Sequence, residues 1–241
     1  MEINETNMIN VEAVKSQLLQ QKTSRHLFKW PLNQQQAEYI LLIAYKKEVE
    51  NRCMQFIDDV NTRKNISKVA KHLVNPQKFG LMLAGTCGNG KTTLMYAIKR
   101  ATNVLSDKGF FNEKNIVKRF SETIGYYDRE EIEEYKVGIN IVDVKEIIAK
   151  CKDFSEMDNL KKMPYLGIDD LGKEPAEVLD YGNICNPVID LLEYRYNRNL
   201  TTFITTNLTP NELKDKYGER ISDRFREMIE KITFEDGSYR K

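Results

Sequence analysis

The stretch Gly85-Thr86-Cys87-Gly88-Asn89-Gly90-Lys91-Thr92 fills every fixed position of the pattern G-x-x-x-x-G-K-[ST]. Glycines at 85, 88 and 90 accept positive φ, so successive main-chain N–H groups converge on an anion. Lys91 opens a helix and brings an ammonium to the same point. Thr92 adds a hydroxyl of the kind that ligates Mg²⁺, and the helix N-terminus adds partial positive charge. Residues 85–92, with Thr93 behind them, therefore form a candidate phosphate loop, in which Cys87 reads as small filler. The pattern carries weight between a strand and a helix, and both flanks comply. Phe79–Ala84 (FGLMLA) is a short apolar run, and Leu94, Ile98 and Ala101 follow at helical spacing.

Downstream, the same alternation recurs. Val137–Val144 is β-branched and leads to a helix near Lys145–Lys152. Tyr165–Ile168 is a short apolar run ending in Asp169 and Asp170, and Asn186-Pro187 starts a helix with a capping residue and proline at its first position. Thr201–Thr206 is a further strand and Lys231–Phe234 the last. Strands alternating with helices predict an α/β fold with a parallel sheet covered on both faces. Residues 103–136 resolve into no element on pattern alone.

The chain has 241 residues with 30% charged and 41% hydrophobic side chains, the balance of a globular domain. Basic and acidic residues number 37 and 36, so no bulk field draws it to nucleic acid. The longest apolar stretch, Tyr39–Tyr45, falls short of a bilayer span, and the residues near Met1 do not resemble a signal peptide, which gives a cytoplasmic expectation without membrane attachment. Cys53, Cys87, Cys151 and Cys185 form no CxxC pair, and only His26 and His72 add imidazole, which argues against a zinc site or a disulfide framework.

Asp169 ends a hydrophobic strand beyond the phosphate loop, the Walker B arrangement: it is expected to hold Mg²⁺ with Thr92, and Asp170 to orient the attacking water. With YLGIDDLG at 165–172, YRYNRNLTTFITTN at 194–207 and YGERISDRFR at 217–226, the chain resembles the AAA+ ATPases of the DnaC/IstB group over roughly residues 65–241. The resemblance implies a P-loop NTPase fold, ATP and Mg²⁺ as cofactors, and slow, oligomer-dependent ATP hydrolysis. Asn207 matches the sensor that contacts the water or the γ-phosphate, Arg224 the arginine finger, and Arg240 the second sensor. Arg220 lies one turn before Arg224 on the same face. A finger enters the neighbouring subunit's site, which implies a homo-oligomer with ATP between subunits. The resemblance further implies a helicase loader whose partners are a replicative DNA helicase and single-stranded DNA. The alternative is an IstB-like helper that delivers a transposase. Asp170 stands where most AAA+ enzymes have Glu, and the chain lacks room for a full C-terminal lid.

Residues 1–64 read as a small helical segment. Val11, Val14 and Leu18 fall on one face of a short helix. A longer helix from Asn33 is expected to carry the stripe Ala37, Leu41, Tyr45, Val49, Cys53, Phe56 and Val60, and Asn65 to cap another. Two readings stay open, packing on the ATPase core or a partner-binding arm, and His26–Trp30 is either an anchor or a staple. Lys99, Arg100 and Lys108–Arg119, with Phe110 and Phe111, offer a candidate basic-aromatic surface for single-stranded DNA.

Overall fold

Leu81 and Leu83 bury on one side of the strand Gly80–Gly85 (β1), and Met82 and Ala84 on the other. A strand apolar on both faces belongs in the middle of a covered sheet, and the computed structural model places it there. The structure describes residues 10–20, 27–121, 126–175, 178–180 and 183–235, with 237 and 239. Three helices come before β1: α1 (Val11–Gln20), α2 (Gln34–Asn51) and α3 (Val60–Val74). After it come α4 (Lys91–Asp107), the pair β2 (Asn112–Ser121) and β3 (Tyr126–Lys136), then β4 (Asn140–Asp143), α5 (Val144–Lys150) and α6 (Phe154–Lys162). The chain continues through β5 (Tyr165–Leu171), β6 (Val178–Asp180), β7 (Asn183–Cys185), α7 (Pro187–Asn197), β8 (Thr201–Thr206), α8 (Pro210–Met228) and β9 (Ile229–Phe234).

The central sheet has the order β4-β5-β8-β1-β9, and each neighbouring pair is parallel. One face gathers Leu81, Leu83, Phe203 and Phe234 with Leu41, Leu73, Leu94 and Ile98 of α2, α3 and α4. The other gathers Met82, Leu166, Ile168 and Ile204 with Ile147, Leu160, Leu191 and Ile221 of α5 to α8. Each such side chain contributes about 1.5–3 kcal/mol by leaving water. The carboxyl ends of β5, β8 and β1 lie side by side where the strand order reverses, the position at which open parallel sheets bind ligands.

The segment before β1 is part of this core. Trp30 is fully buried, its Nε1 donating to Thr102 Oγ1 at 3.1 Å and its main-chain N–H to the Leu73 carbonyl at 2.7 Å. Phe28 packs edge-on to Phe111, Tyr165 and Phe203. Both are staples to the core, while His26 lies outside the described residues. Ala37, Leu41 and Tyr45 of α2 are buried there too, whereas Val11, Val14 and Leu18 of α1 are exposed.

Two helix expectations need correction. The helix from Asn33, which caps it with its side chain on the Gln36 N–H, stops at Asn51 and does not reach Val60. Cys53 takes φ 55°, which no helix continues through, and the Asp59 side chain accepts from the Thr62 N–H to start α3. Asn65 therefore lies inside α3 and is not its cap, and Cys53 and Val60 are exposed. Asn112–Ser121 and Tyr126–Lys136, left unplaced by pattern, form the antiparallel pair β2–β3. Its register sets Lys114 opposite Glu134 and Lys118 opposite Glu130. Phe111 packs into the core and Arg100 is ion-paired with Glu48, while Phe110 is exposed.

Two buried cations and bases shape the core. Arg195 is fully buried and donates to the carbonyls of Met163 (2.7 Å) and Thr201 (2.6 Å) and to Thr202 Oγ1 (2.9 Å), joining the end of α6 to the start of β8. Burial pulls its pKa down to about 9, and the carbonyls at a helix C-terminus are a natural partner for it. His72 is buried on α3, and burial holds its pKa below the ordinary 6.5, against the opposing charge of Glu230. A base with a depressed folded pKa favours the unfolded state as protons are added, so stability should fall as pH drops below about 6.5. Urea denaturation at pH 7.5 and 5.5 checks this: His72→Leu should show a smaller loss than the wild type, and an equal loss would exclude His72 as a source.

Candidate functional site

The loop after β1 is built around positions that reject a side chain. A Cβ at Gly85 (φ 147°) would stand 2.4 Å from the Phe234 carbonyl oxygen, and one at Gly90 (φ 89°) would stand 2.4 Å from the Tyr45 hydroxyl. Gly90 begins α4 in a left-handed conformation and offers no side chain to the first turn. The leading N–H groups of α4 are thus open to an anion, with the helix dipole behind them. Asn89 is buried and braces the loop from inside, its Nδ2 donating to the Phe234 carbonyl at 3.4 Å. Thr86 and Cys87 are exposed, and Thr93 Oγ1 accepts from Arg52 Nη1 at 2.9 Å.

Lys91 is 4% exposed, and its ammonium donates to the Gly85 carbonyl (2.8 Å), the Thr86 carbonyl (2.6 Å) and Asn89 Oδ1 (2.9 Å). All three acceptors are uncharged. Burial lowers the Lys91 pKa, and the nearby Asp170 charge works against that shift. A buried ammonium held by neutral oxygens gains most from a neighbouring anion, because its desolvation cost is already met.

Across the cleft, Asp169 and Asp170 come just before Leu171, the last residue of β5. Asp169 Oδ1 accepts from Thr92 Oγ1 at 2.9 Å and from Thr205 Oγ1 at 2.5 Å. Burial raises the Asp169 pKa, and these two hydroxyls offset part of the rise. Asp170 takes φ 58°, and its N–H donates to the same Thr205 Oγ1 at 2.8 Å. Thr205 thus fixes both acids, a role that the sequence reading missed. The available signal was its place at the end of TTFITT, two residues before Asn207.

An open cleft runs from the phosphate loop past Asp170 and Asn207. Cys87 to Thr93, Asp170, Lys173 and Asn207 line its polar end, and Val49, Met54, Phe56 and Ile57 line an apolar wall, with Tyr45, Arg52 and Tyr239 between. The wall comes from the break between α2 and α3 that the apolar stripe had concealed. Thr92 and Asp169 present a hydroxyl and a carboxylate oxygen side by side, a hard-oxygen donor pair that suits Mg²⁺ shared with phosphates and water.

The structure does not bring the two described arginines to this cleft. Gly218 (φ 83°) breaks α8, and Arg220 and Arg224 follow the break on one face. Arg224 Nη1 lies 2.7 Å from Glu193 Oε1, with its guanidinium 4.8 Å from the Tyr196 ring centre, and Arg220 Nε lies 3.3 Å from the same carboxylate oxygen. Arg240 lies outside the described residues. Its neighbour Tyr239 donates its N–H to the Gly88 carbonyl at 3.0 Å, so Tyr239 rests on the phosphate loop.

No protein-family model and no curated protein matches the chain. Among solved structures it is similar to the DnaC helicase loader, at 24% identity and TM-score 0.50 over 75% of this chain and 93% of that one. It is also similar to DnaI, at 23% identity and TM-score 0.48 over 74% and 87% of the two chains. The AMPPCP-bound DnaA from Aquifex aeolicus matches at 18% identity and TM-score 0.45, over 78% of this chain and 50% of that one. Taken with the five parallel strands, the DnaC likeness shows the fold: this chain has the α/β architecture of the DnaC helicase loader, a parallel sheet covered by helices on both faces.

Proposed function

We propose that this protein binds ATP with Mg²⁺ in the cleft beside Lys91, hydrolyses it slowly in assemblies of itself, and serves as a helicase loader in DNA replication. The observation that carries the nucleotide reading is the buried Lys91 ammonium at the open N-terminus of α4, in a cleft lined also by Asp170 and Asn207, with Asp169 bonded to the neighbouring Thr92. In this reading the amides of residues 88–92 and Lys91 take the β- and γ-phosphates, and the apolar wall from Val49 to Ile57 takes the base. Thr92 and Asp169 hold Mg²⁺, which when bound neutralises charge on the phosphate oxygens. Asp170 orients water, held in place through Thr205, and Asn207 lies at the phosphate end. The short carboxylate of Asp170 reaches less far than Glu would, which suits slow turnover and a switch more than a motor.

Arg224 and Arg220 are absent from the lining of their own cleft, which supports action on an adjoining copy. The loader role rests on the likeness to DnaC and on the exposed apolar face of α1, Val11, Val14 and Leu18, as a partner-binding arm. Single-stranded DNA as a further partner rests on the AAA+ resemblance. Titration calorimetry with ATP, ADP and Mg²⁺ tests the site: absence of uptake by the folded protein would overturn the nucleotide reading. ATP-dependent pull-down with the host's replicative helicase, with native mass measurement, tests the loader role. Retention that is indifferent to ATP, or none, would remove it.

A further inference from the structure

Lys173 belongs to no motif read from the sequence. It follows Asp170 by three residues in a turn closed by its own N–H, which donates to the Asp170 carbonyl at 3.1 Å. Its ammonium folds back to within 2.5 Å of Asp170 Oδ2, and both residues line the cleft beside Lys91 and Asn207. The turn is anchored from behind. The Gly172 N–H donates to the buried Glu174 carboxylate at 2.9 Å, the Tyr217 hydroxyl bonds to the same carboxylate, and Lys216 Nζ donates to the Gly172 carbonyl at 2.6 Å. The main chain beneath Lys173 is therefore tied to α8, while its side chain, 46% exposed, is the part free to choose a partner.

Two anions compete for that ammonium once a nucleotide occupies the cleft. One is the single charge of Asp170. The other is the terminal phosphate of a triphosphate, which carries more charge on three acceptor oxygens. A carboxylate paired with an ammonium is also a weaker acceptor for a proton of water, because the neighbouring charge lowers its basicity. We propose that Lys173 is a positioning residue that exchanges Asp170 for the terminal phosphate of a bound nucleoside triphosphate. The exchange frees Asp170 for water opposite a triphosphate but not opposite a diphosphate. The proposal rests on the nucleotide reading of the cleft.

Binding of ATP and ADP to the full chain, wild type against Lys173→Met, separates the cases. The affinity for ATP should fall about tenfold, the effect of one charge-assisted contact at a half-exposed site, with the affinity for ADP unchanged. Lys173→Arg, which keeps the charge, should restore most of the ATP affinity. A side chain that merely braces the turn would not alter the ratio of the two affinities. An equal loss for both nucleotides, a loss for neither, or no recovery with arginine would overturn the proposal. Failure of the wild-type protein to bind either nucleotide is a different result: it would strike the nucleotide reading itself and take this proposal with it.

Discussion

Replacement of Lys91 by alanine is expected to remove measurable uptake of both ATP and ADP while leaving the protein folded. The ammonium is the one side-chain cation buried inside the phosphate loop among the described residues, and its three hydrogen bonds show that the loop is shaped around it. Hydrogen bonds to a charged group contribute about 1.5–3 kcal/mol each, so losing the bridge to two phosphates should weaken binding by at least about a hundredfold. Stability should change little. The substitution ends three hydrogen bonds but also relieves the desolvation of a buried charge, and the two effects oppose each other. Titration calorimetry alongside thermal melting reads both quantities. Intact affinity in a protein that melts normally would exclude Lys91 from the site.

Arg224→Ala is expected to lower ATP hydrolysis about a thousandfold or more, the scale of removing an arginine finger, with nucleotide affinity largely retained. Arg224 is only 12% exposed and ion-paired with Glu193, so a structural role must be separated from a catalytic one. Mixed assemblies do this. The Arg224→Ala chain keeps its phosphate loop and the Lys91→Ala chain keeps its arginine, so an interface that combines them is complete. Recovery of hydrolysis on mixing two inactive variants supports action between copies. Lack of recovery, with both variants folded and associated, would assign Arg224 to the seam between α7 and α8.

Much of this architecture was legible because its signals are local. The phosphate loop is a contiguous pattern, and Asn186-Pro187 starts α7 through a cap that one side chain makes with the Ile189 N–H at 3.1 Å. The runs FGLMLA and TTFITT became β1 and β8 almost residue for residue, since strands buried on both faces leave little doubt in composition. The stripe through Cys53, Phe56 and Val60 misled because helical spacing continues by chance across a break that opens at Cys53 and closes where Asp59 caps α3. β3, with the sequence YYDREEIEEYK, is rich in helix-favouring glutamates, and its strand form depends on pairing with β2 that no local pattern reports. Thr205 and Lys173 escaped for a related reason. Their partners are set by neighbouring strands and by a turn, so their roles exist only once the chain is folded.

The contact between the Tyr45 hydroxyl and Gly90 has a practical corollary. Helix α2 and the loop after it supply one bank of the cleft, so residues 34–57 are not a detachable cassette. An excision at residue 65 would remove Val49, Met54, Phe56 and Ile57, and with them the cleft's greasy shelf. Ala37 and Leu41 of the same helix are sunk in the core, so a change that loosens α2 there would be felt at the mouth of the loop.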